Sequence, residues 1–432
     1  MDVIITPHEL TGSIAAIPSK SMAHRLLLLS ALCDGITDVT LSETSNDIDA
    51  TLRCVTSLGA SVGRTRSGLR VVPLTKRGVR DRARLDVGES GSTLRFLLPV
   101  VAALGHGASL MGHGRLAQRP LAPLDEQLIA HGVELSDRGS FPLEVSGTLT
   151  PGSFTLPGDV SSQFASGLLM AAPLVDGAVE IAVSEPVESL GYLNLTVDAL
   201  RTFGVSVDEE RRTNGDKAFH IYTIAPGSRL ISPGSCIVEG DWSNAAFWLA
   251  AGALGTTPLS VLGLNPQSRQ GDRAIMAALT LLGARVGRGS GIVASSRDVL
   301  HARTIDVSSI PDLAAPIAAV AAVAEGTTRL TGAARLRLKE SDRLETIRRT
   351  IASMGGRASV EQDDLVIEGV PSLTGGDVDA ANDHRIAMMA AVCAAYATGP
   401  TIIHGADCVA KSYPRFFDDF RALGGIAEER QS

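Results

Sequence analysis

Cations stand at the starts of two apolar segments, where a helix does not call for them. Lys20 and Arg25 precede the apolar run in IPSKSMAHRLLLLSAL. His384 and Arg385 hold the same place in NDHRIAMMAAVCAAYATG. Because a helix N-terminus carries a partial positive charge, it disfavours cations and favours anions. We therefore expect these side chains to bind anionic ligands, while plain N-capping remains the alternative for the serines and aspartates beside them.

A second concentration of charge is the segment RLRLKESDRLETI, residues 335–347, in which the charges alternate in sign. A solvated helix face with salt bridges is one interpretation of this pattern. The other is functional, with Arg343 clamping a carboxylate or phosphate and Glu340 transferring a proton. Taken alone, the segment leaves both interpretations open. Arg119 and Lys411 add further cations to the candidate set.

The elements that must position these residues recur along the chain. Six segments share a polar entry, an apolar stretch and a closing glycine, and these glycines are Gly35, Gly105, Gly177, Gly255, Gly326 and Gly399. A second set keeps the same phase, namely Gly59, Gly132, Gly204, Gly283, Gly355 and Gly424. Two markers in phase over the whole chain predict six copies of one supersecondary unit.

Each unit is predicted to contain a buried helix that stops at the first glycine, a strand, an amphipathic helix that ends at the second glycine, and further strands. The clearest amphipathic helices are expected at residues 45–58, 121–130 and 272–282. Strands are expected at residues 70–72, 133–135, 205–207 and 284–286. The predicted fold class is α/β (α+β), with two domains of three units and a hinge at residues 231–235.

The starts of the six buried helices are polar and varied, whereas the helix bodies are uniformly apolar. If the pseudosymmetry makes these starts converge, their side chains meet in the cleft between the domains. The starts lie at residues 19–21, 88–92, 159–163, 241–244, 311–312 and 382–385.

Composition excludes several classes of function. The net charge of −8 argues against a protein that binds nucleic acid or an anionic membrane. No signal peptide, and no apolar run of about 18 residues, is recognisable. Five scattered cysteines without a CxxC pair predict buried, reduced thiols in a cytoplasmic protein. Since no histidines and cysteines have ligand spacing, we expect no metal.

Several motifs together resemble those of the enolpyruvyl transferase family. In chain order, from about residue 11 to residue 420, they are SKSxxxR, SSQF, SLGY, PD, RLKESDR, NDHR and AKSYP. They are most similar to the branch of that family that acts on shikimate-3-phosphate. The resemblance implies two domains, each of three βαβαββ units, with the active site in the interdomain cleft. It also implies that the first domain is residues 19–235 and that the second is discontinuous, residues 1–18 and 236–432.

The resemblance further implies an activity and its residues. The reaction transfers the enolpyruvyl group of phosphoenolpyruvate to shikimate-3-phosphate, in the biosynthesis of chorismate and the aromatic amino acids. The implied shikimate-3-phosphate contacts are Lys20, Ser21, Arg25, Ser161, Ser162, Gln163, Ser189, Tyr192, Asp312 and Lys339. The implied phosphoenolpyruvate contacts are Lys20, Gly91, Arg119, Gln163, Arg343, Arg385 and Lys411. The implied proton-transfer groups are Asp312 and Glu340, with Lys20 and Lys411. No cofactor is implied, and we expect a cytoplasmic monomer.

The chain departs from the common pattern of the family at three positions. Glu89, in GESGST, replaces an asparagine, Phe96 replaces a proline, and Arg335 stands where an asparagine contacts substrate. A carboxylate at position 89 repels an anionic ligand unless it turns away or pairs with a cation.

Two alternative functions are weighed. One is the branch of the family that acts on UDP-N-acetylglucosamine, which usually carries a reactive cysteine in the loop that here reads HGRLAQRPLAP. The other is a non-catalytic relative that binds metabolites. The missing cysteine disfavours the first, and the complete set of cations and carboxylates disfavours the second.

Overall fold

A computed structural model describes residues 1–75, 78–137, 139–289 and 291–430. The chain forms two compact units, which we name the central unit, Lys20–Val238, and the terminal unit, Met1–Ser19 with Glu239–Ser432. The predicted domain limits fall one to three residues from the limits of these units. The assignment of the units as domains stays a prediction.

Short helices and short strands alternate throughout the described residues. The helices are α1 (Lys20–Leu32), α2 (Asn46–Leu58), α3 (Gly91–Leu104), α4 (Leu124–Ala130), α5 (Ser162–Ala171), α6 (Leu190–Thr202), α7 (Trp242–Leu254), α8 (Ile275–Leu281), α9 (Ala314–Ala321), α10 (Arg343–Ser353), α11 (His384–Ala395) and α12 (Phe416–Ala422). The first twelve strands are β1 (Asp2–Thr6), β2 (Gly12–Ala15), β3 (Thr37–Thr40), β4 (Ser61–Arg64), β5 (Gly68–Val72), β6 (Ala83–Gly88), β7 (Ala108–Gly112), β8 (Val133–Leu135), β9 (Leu143–Gly147), β10 (Gly152–Pro157), β11 (Val179–Ser184) and β12 (Asp208–Asn214). The others are β13 (Lys217–Ile224), β14 (Ser235–Ile237), β15 (Leu259–Leu262), β16 (Arg285–Gly289), β17 (Ile292–Ser296), β18 (Thr304–Asp306), β19 (Thr327–Thr331), β20 (Arg357–Glu361), β21 (Asp364–Glu368), β22 (Gly376–Asp379), β23 (Thr401–His404) and β24 (Ile426–Arg430).

The described strands form six four-stranded sheets, three in each unit. Those of the central unit have the strand orders β14-β3-β5-β4, β6-β7-β9-β8 and β10-β11-β13-β12. Those of the terminal unit are β2-β15-β17-β16, β18-β19-β21-β20 and β22-β23-β1-β24. In every sheet the first two strands are parallel and the other neighbours are antiparallel. The mixed helix-and-strand fold that the repeat predicts is therefore confirmed.

The core of each unit is built on the apolar helices. In the central unit α1, α3 and α5 are buried along most of their length, and in the terminal unit α7, α9 and α11 are buried throughout. Such helices can exist only inside, because they lack a polar face to turn towards water. Polar side chains lie in the first turns of all these helices except α9, which is apolar throughout.

The second set of glycines marks the ends of helices, whereas most glycines of the first set do not. All six second glycines have a left-handed φ and lie at the ends of α2, α4, α6, α8, α10 and α12, as predicted. Of the first set, only Gly105 and Gly255 directly follow a helix. Elsewhere the buried helix ends earlier, and after α5 the reason is a 3-10 turn, Ala172–Leu174, whose proline has no N–H to donate.

Four further predictions need correction. Residues 205–207 are not a strand, because Val205 N bonds Leu200 O at 3.0 Å and so closes the end of α6. Ala284 N closes α8 in the same way, so β16 begins one residue later than predicted. The helices expected at 121–130 and 272–282 contain shorter α-helices, α4 and α8.

Two other expectations can be compared with the described residues. All five cysteines are buried and unbridged, as predicted. No helix among the described residues has the length and apolar content that crossing a membrane requires.

Candidate active site residues in the two units

Lys20 opens α1 in the central unit and faces the start of α2. Its Nζ donates to Asp47 Oδ2 at 2.8 Å, and both side chains are mostly buried. Asp47 lies in the first turn of α2, where the helix dipole favours a carboxylate. This ion pair orients the Lys20 ammonium group at the N-terminus of α1.

Arg25 lies one turn further along α1 and is 2% exposed. Its Nε donates to Thr196 Oγ1 at 2.8 Å, its Nη1 donates to Ser21 O at 2.6 Å, and its Nη2 donates to Tyr192 O at 2.9 Å. The guanidinium also lies 4.9 Å from the centre of the Phe96 ring. The residue that replaces the family's proline therefore packs on a buried cation.

The surroundings of Arg25 are neutral. Among the described residues no carboxylate pairs with it, since its hydrogen bonds go to hydroxyl and carbonyl oxygens. Burial lowers the pKa of Arg25 to about 10, with Tyr192 opposing, so the side chain stays charged at neutral pH. A buried charge without a counter-ion is costly, and an anionic ligand would supply the missing charge.

The start of α3 brings two arginines against one glycine. A Cβ added to Gly91 would lie 2.6 Å from an Nη1 atom of both Arg95 and Arg119, so any side chain there would displace one of the two guanidinium groups. Arg95 Nη1 also donates to Gln163 Oε1 at 3.2 Å, and Gln163 Nε2 donates to Ser92 Oγ at 2.9 Å. The structure thus brings Gly91, Arg119 and Gln163 together through Arg95.

The remaining predicted residues of the central unit lie at the starts of α5 and α6. Ser161 caps α5 by accepting from Gln163 N at 3.3 Å, which is an ordinary capping role, and Ser162 is buried. Ser189 precedes α6 with φ 61° and is 2% exposed. Tyr192 lies in the first turn of α6, where its carbonyl oxygen accepts from Arg25.

In the terminal unit, Arg343 is the centre of a dense ionic network. It is 1% exposed and contacts three carboxylates: Asp383 Oδ2 at 3.0 Å, Asp312 Oδ1 at 2.9 Å and Glu340 Oε2 at 2.5 Å. Burial alone would lower the pKa of Arg343, but Asp383, Glu340 and Asp312 outweigh it and raise that pKa. For residues 335–347 the sequence left two interpretations open, salt bridges and anion binding. Both concern Arg343, which is buried and already forms salt bridges.

Asp312 links that network to two more cations. Arg385 Nη2 lies 3.2 Å from its Oδ2, and Lys339 Nζ lies 3.6 Å from its Oδ1. Burial would raise the pKa of Asp312, but Arg385, Lys339 and Arg343 together hold it well below its usual range. Asp312 is thus ionised at neutral pH and can only accept a hydrogen bond or a proton.

Lys339 and Lys411 are both ammonium groups with little exposure to solvent. Burial lowers the pKa of Lys339 to about 8, while Asp312 opposes that shift. Lys411 Nζ donates at 2.7 Å to the carbonyl oxygen of Asn382, the residue before Asp383. Lys411 thus contacts the start of α11 through the backbone.

Several supporting residues were not predicted. Asp47, Arg95 and Thr196 each hold a predicted residue and come from other elements of the fold, whereas Asp383, which holds Arg343, lies within the predicted helix start 382–385. Arg95 offered a signal, because it interrupts the apolar stretch TLRFLLPVV. Asp47 and Thr196 offered none, since their types are common at helix starts and on helix faces. Within the described residues, no group of three or more histidine, cysteine or acidic residues could hold a metal ion.

Comparisons with known proteins agree with one another. Residues 4–420 match the family described as EPSP synthase (3-phosphoshikimate 1-carboxyvinyltransferase). The 3-phosphoshikimate 1-carboxyvinyltransferases of Clostridium kluyveri and Clostridium novyi are 38% and 37% identical to this chain, and each alignment covers 99% of the chain and 98% of the relative. A solved structure of EPSP synthase from Acinetobacter baumannii has a TM-score of 0.78 at 26% identity, covering 99% of this chain and 100% of that one.

Proposed function

The chain belongs to the EPSP synthase (3-phosphoshikimate 1-carboxyvinyltransferase) family, and from that premise we propose how it performs the reaction of that family. The enolpyruvyl group of phosphoenolpyruvate passes to the 5-hydroxyl of shikimate-3-phosphate, and phosphate is released. The reaction belongs to the shikimate pathway, which leads to chorismate and the aromatic amino acids. The UDP-N-acetylglucosamine alternative is not favoured, because the curated relatives are 3-phosphoshikimate 1-carboxyvinyltransferases.

The chemistry consists of an addition followed by an elimination. The 5-hydroxyl oxygen bonds to C2 of phosphoenolpyruvate while the hydroxyl proton leaves and C3 gains a proton. Loss of a proton from C3 then expels phosphate and restores the double bond. The reaction thus requires cations for two anionic substrates, and groups that accept and donate protons.

The observation that carries this proposal is the buried, neutral surroundings of Arg25. Burying a guanidinium that is 2% exposed beside uncharged partners is costly, and an anionic ligand would offset that cost. We assign Arg25 to shikimate-3-phosphate, together with Lys20, Ser21, Ser161, Ser162, Gln163, Ser189, Tyr192, Asp312 and Lys339. We assign Lys20, Gly91, Arg119, Gln163, Arg343, Arg385 and Lys411 to phosphoenolpyruvate.

Glu340 and Asp312 are assigned to proton transfer, with Lys20 and Lys411 sharing it. Asp312, which its cations hold ionised, accepts from a hydroxyl of shikimate-3-phosphate. Glu340 lies beside Arg343 and is the group that we assign to C3 of phosphoenolpyruvate. We further propose that the protein works in the cytoplasm as a monomer without a cofactor.

Release of phosphate by the purified protein tests this function. With phosphoenolpyruvate and shikimate-3-phosphate together we expect continuous release, and with either substrate alone we expect none. Release only when UDP-N-acetylglucosamine replaces shikimate-3-phosphate would overturn the assignment.

Replacing Glu340 tests its assigned role. Glu340→Gln should lower kcat by about 100-fold or more while leaving substrate binding largely intact, because the amide cannot transfer the proton. Glu345→Gln is the matched control. Glu345 also forms an ion pair with an arginine three residues later, Arg348, and both of these residues lie in α10. Unchanged turnover in Glu340→Gln would remove this residue from the mechanism.

A further inference from the structure

Glu89, whose carboxylate is unexpected for a loop at an anion site, packs against the segment that carries Arg119. We name residues 113–119 the Arg119 segment and residues 88–91 the Glu89 loop; both lie in the central unit. A Cβ added to Gly114 would lie 2.7 Å from Glu89 Cδ and 2.8 and 3.0 Å from its two carboxylate oxygens. The whole Glu89 carboxylate therefore packs against the backbone of Gly114, near the start of the Arg119 segment.

The same segment contacts the Glu89 loop at its other end. The Arg119 guanidinium lies against Gly91, where an added Cβ would meet its Nη1 at 2.6 Å. At the Gly114 end, His113 N also donates to Gly88 O at 2.8 Å, which joins the two backbones. The segment is thus held on the loop at both ends, by a carboxylate at Gly114 and by a guanidinium at Gly91.

Gly114 is suited to this arrangement in two ways. Its φ of 58° is left-handed, which favours glycine, and its missing side chain leaves the space that the carboxylate occupies. The segment then continues as a short 3-10 helix, Gly114–Gln118, which ends at Arg119. Gly114 and Arg119 are therefore the two ends of one short helical segment.

We propose that Glu89 is a positioning residue that anchors the Arg119 segment and so fixes Arg119 for phosphoenolpyruvate. This inference rests on the proposed function, because it takes Arg119 as a phosphoenolpyruvate contact. It gives the departure from asparagine a structural role: the carboxylate is directed at the protein's own backbone. Glu89 touches no reacting atom and acts through Arg119.

The rival account is simple repulsion, in which the Glu89 charge weakens the binding of an anionic substrate. The two accounts predict opposite signs for Glu89→Gln, which removes the charge and keeps the shape. Anchoring predicts a higher KM for phosphoenolpyruvate, since the negative charge that faces the backbone of the Arg119 segment is lost. Repulsion predicts a lower KM.

The experiment is steady-state kinetics with each substrate varied in turn. In Glu89→Gln we expect the KM for phosphoenolpyruvate to rise by about 10-fold, with the KM for shikimate-3-phosphate within about twofold of the wild-type value. Gly114→Ala should give the same selective defect, because its methyl group displaces the carboxylate. The double variant should be no worse than the poorer single variant, since both changes break one contact.

A control and a folding check make the result decisive. Glu134→Gln removes an exposed carboxylate from β8, in the same sheet as β7, and should leave both KM values unchanged. If Glu89→Gln does not fold, Gly114→Ala decides alone. An unchanged or lowered KM for phosphoenolpyruvate in the variant that folds, or equal rises for both substrates, overturns the inference. A wild-type protein that releases no phosphate would instead refute the proposed function.

Discussion

Arg25 and Arg343 are both buried arginines, but their electrostatic surroundings are opposite. Arg25 has only neutral partners among the described residues, whereas Arg343 contacts three carboxylates. A guanidinium without a counter-ion adds little to stability because its desolvation is not repaid. Removing the centre of an ionic network instead leaves buried carboxylates without their partner.

Replacing each arginine by methionine should therefore give unequal losses of stability. Arg25→Met is expected to lower the free energy of unfolding by at most about 1 kcal/mol, and Arg343→Met by about 3–5 kcal/mol. Urea denaturation of the two variants measures both values. Equal losses would contradict the charge assignment, and in Arg25→Met the thermal stabilisation by shikimate-3-phosphate should also disappear.

Lys339 predicts a pH dependence in substrate binding. Because burial lowers the pKa of Lys339 to about 8, its charge is present below that pH and is lost as the pH rises above it. The KM for shikimate-3-phosphate should rise by up to about 10-fold between pH 7 and pH 9, as the charged fraction falls.

Lys339→Arg is the matched variant for this prediction. Arginine keeps its charge throughout that range, so the KM of the variant should stay flat with pH, whatever its absolute value. Parallel pH profiles in the two proteins would assign the effect to another group.

The residue types of the candidate site could be predicted from the sequence, but their partners could not. Lys20 and Arg25 stand out because they interrupt an apolar helix start, which is a local property of the chain. Asp47 and Thr196, which hold them, come from α2 and α6, far away in sequence. Which side chains contact each other depends on how the helices pack, and the spacing of residues within one segment does not determine that packing.

At the scale of the element, the second set of glycines was predicted correctly as helix ends. These glycines end the outer helices, by which we mean α2, α4, α6, α8, α10 and α12, and ending a helix depends only on the local backbone conformation. A residue in the left-handed region closes a helix and leads into the next strand, and glycine adopts it most easily. The first glycines were mostly predicted wrongly as helix stops, since turns and a proline end those helices earlier. The first set of glycines thus indicated the period of the repeat but did not predict where the buried helices end.

Gly59 offers a quantitative test of the outer helix ends. Its φ is 119°, and an added Cβ would lie 2.2 Å from the carbonyl oxygen of Gly78, so Gly59→Ala combines backbone strain with a clash. We expect a loss of about 3 kcal/mol or more in the free energy of unfolding. Gly215→Ala is the control, because φ is 60° there and nothing lies within 4 Å; about 1 kcal/mol should be lost. Equal losses would show that the clash is relieved at no cost.

At the scale of the whole molecule, the repeat predicted six copies of one supersecondary unit, but strand partners depend on long-range topology. β1 lies between β23 and β24, and β2 pairs with β15, so the first strands of the chain complete sheets of the terminal unit. β14 in turn pairs with β3 of the central unit. The family resemblance implied that residues 1–18, which hold these strands, belong with the second domain. The exact pairings required the structure.

The central claim is the enolpyruvyl transfer itself, and nuclear magnetic resonance of the products tests it most directly. Incubating the wild-type protein with phosphoenolpyruvate and shikimate-3-phosphate should yield an enolpyruvyl ether at the 5-oxygen and an equal amount of inorganic phosphate. Pyruvate and phosphate with shikimate-3-phosphate left intact, or no conversion at all, would contradict the account.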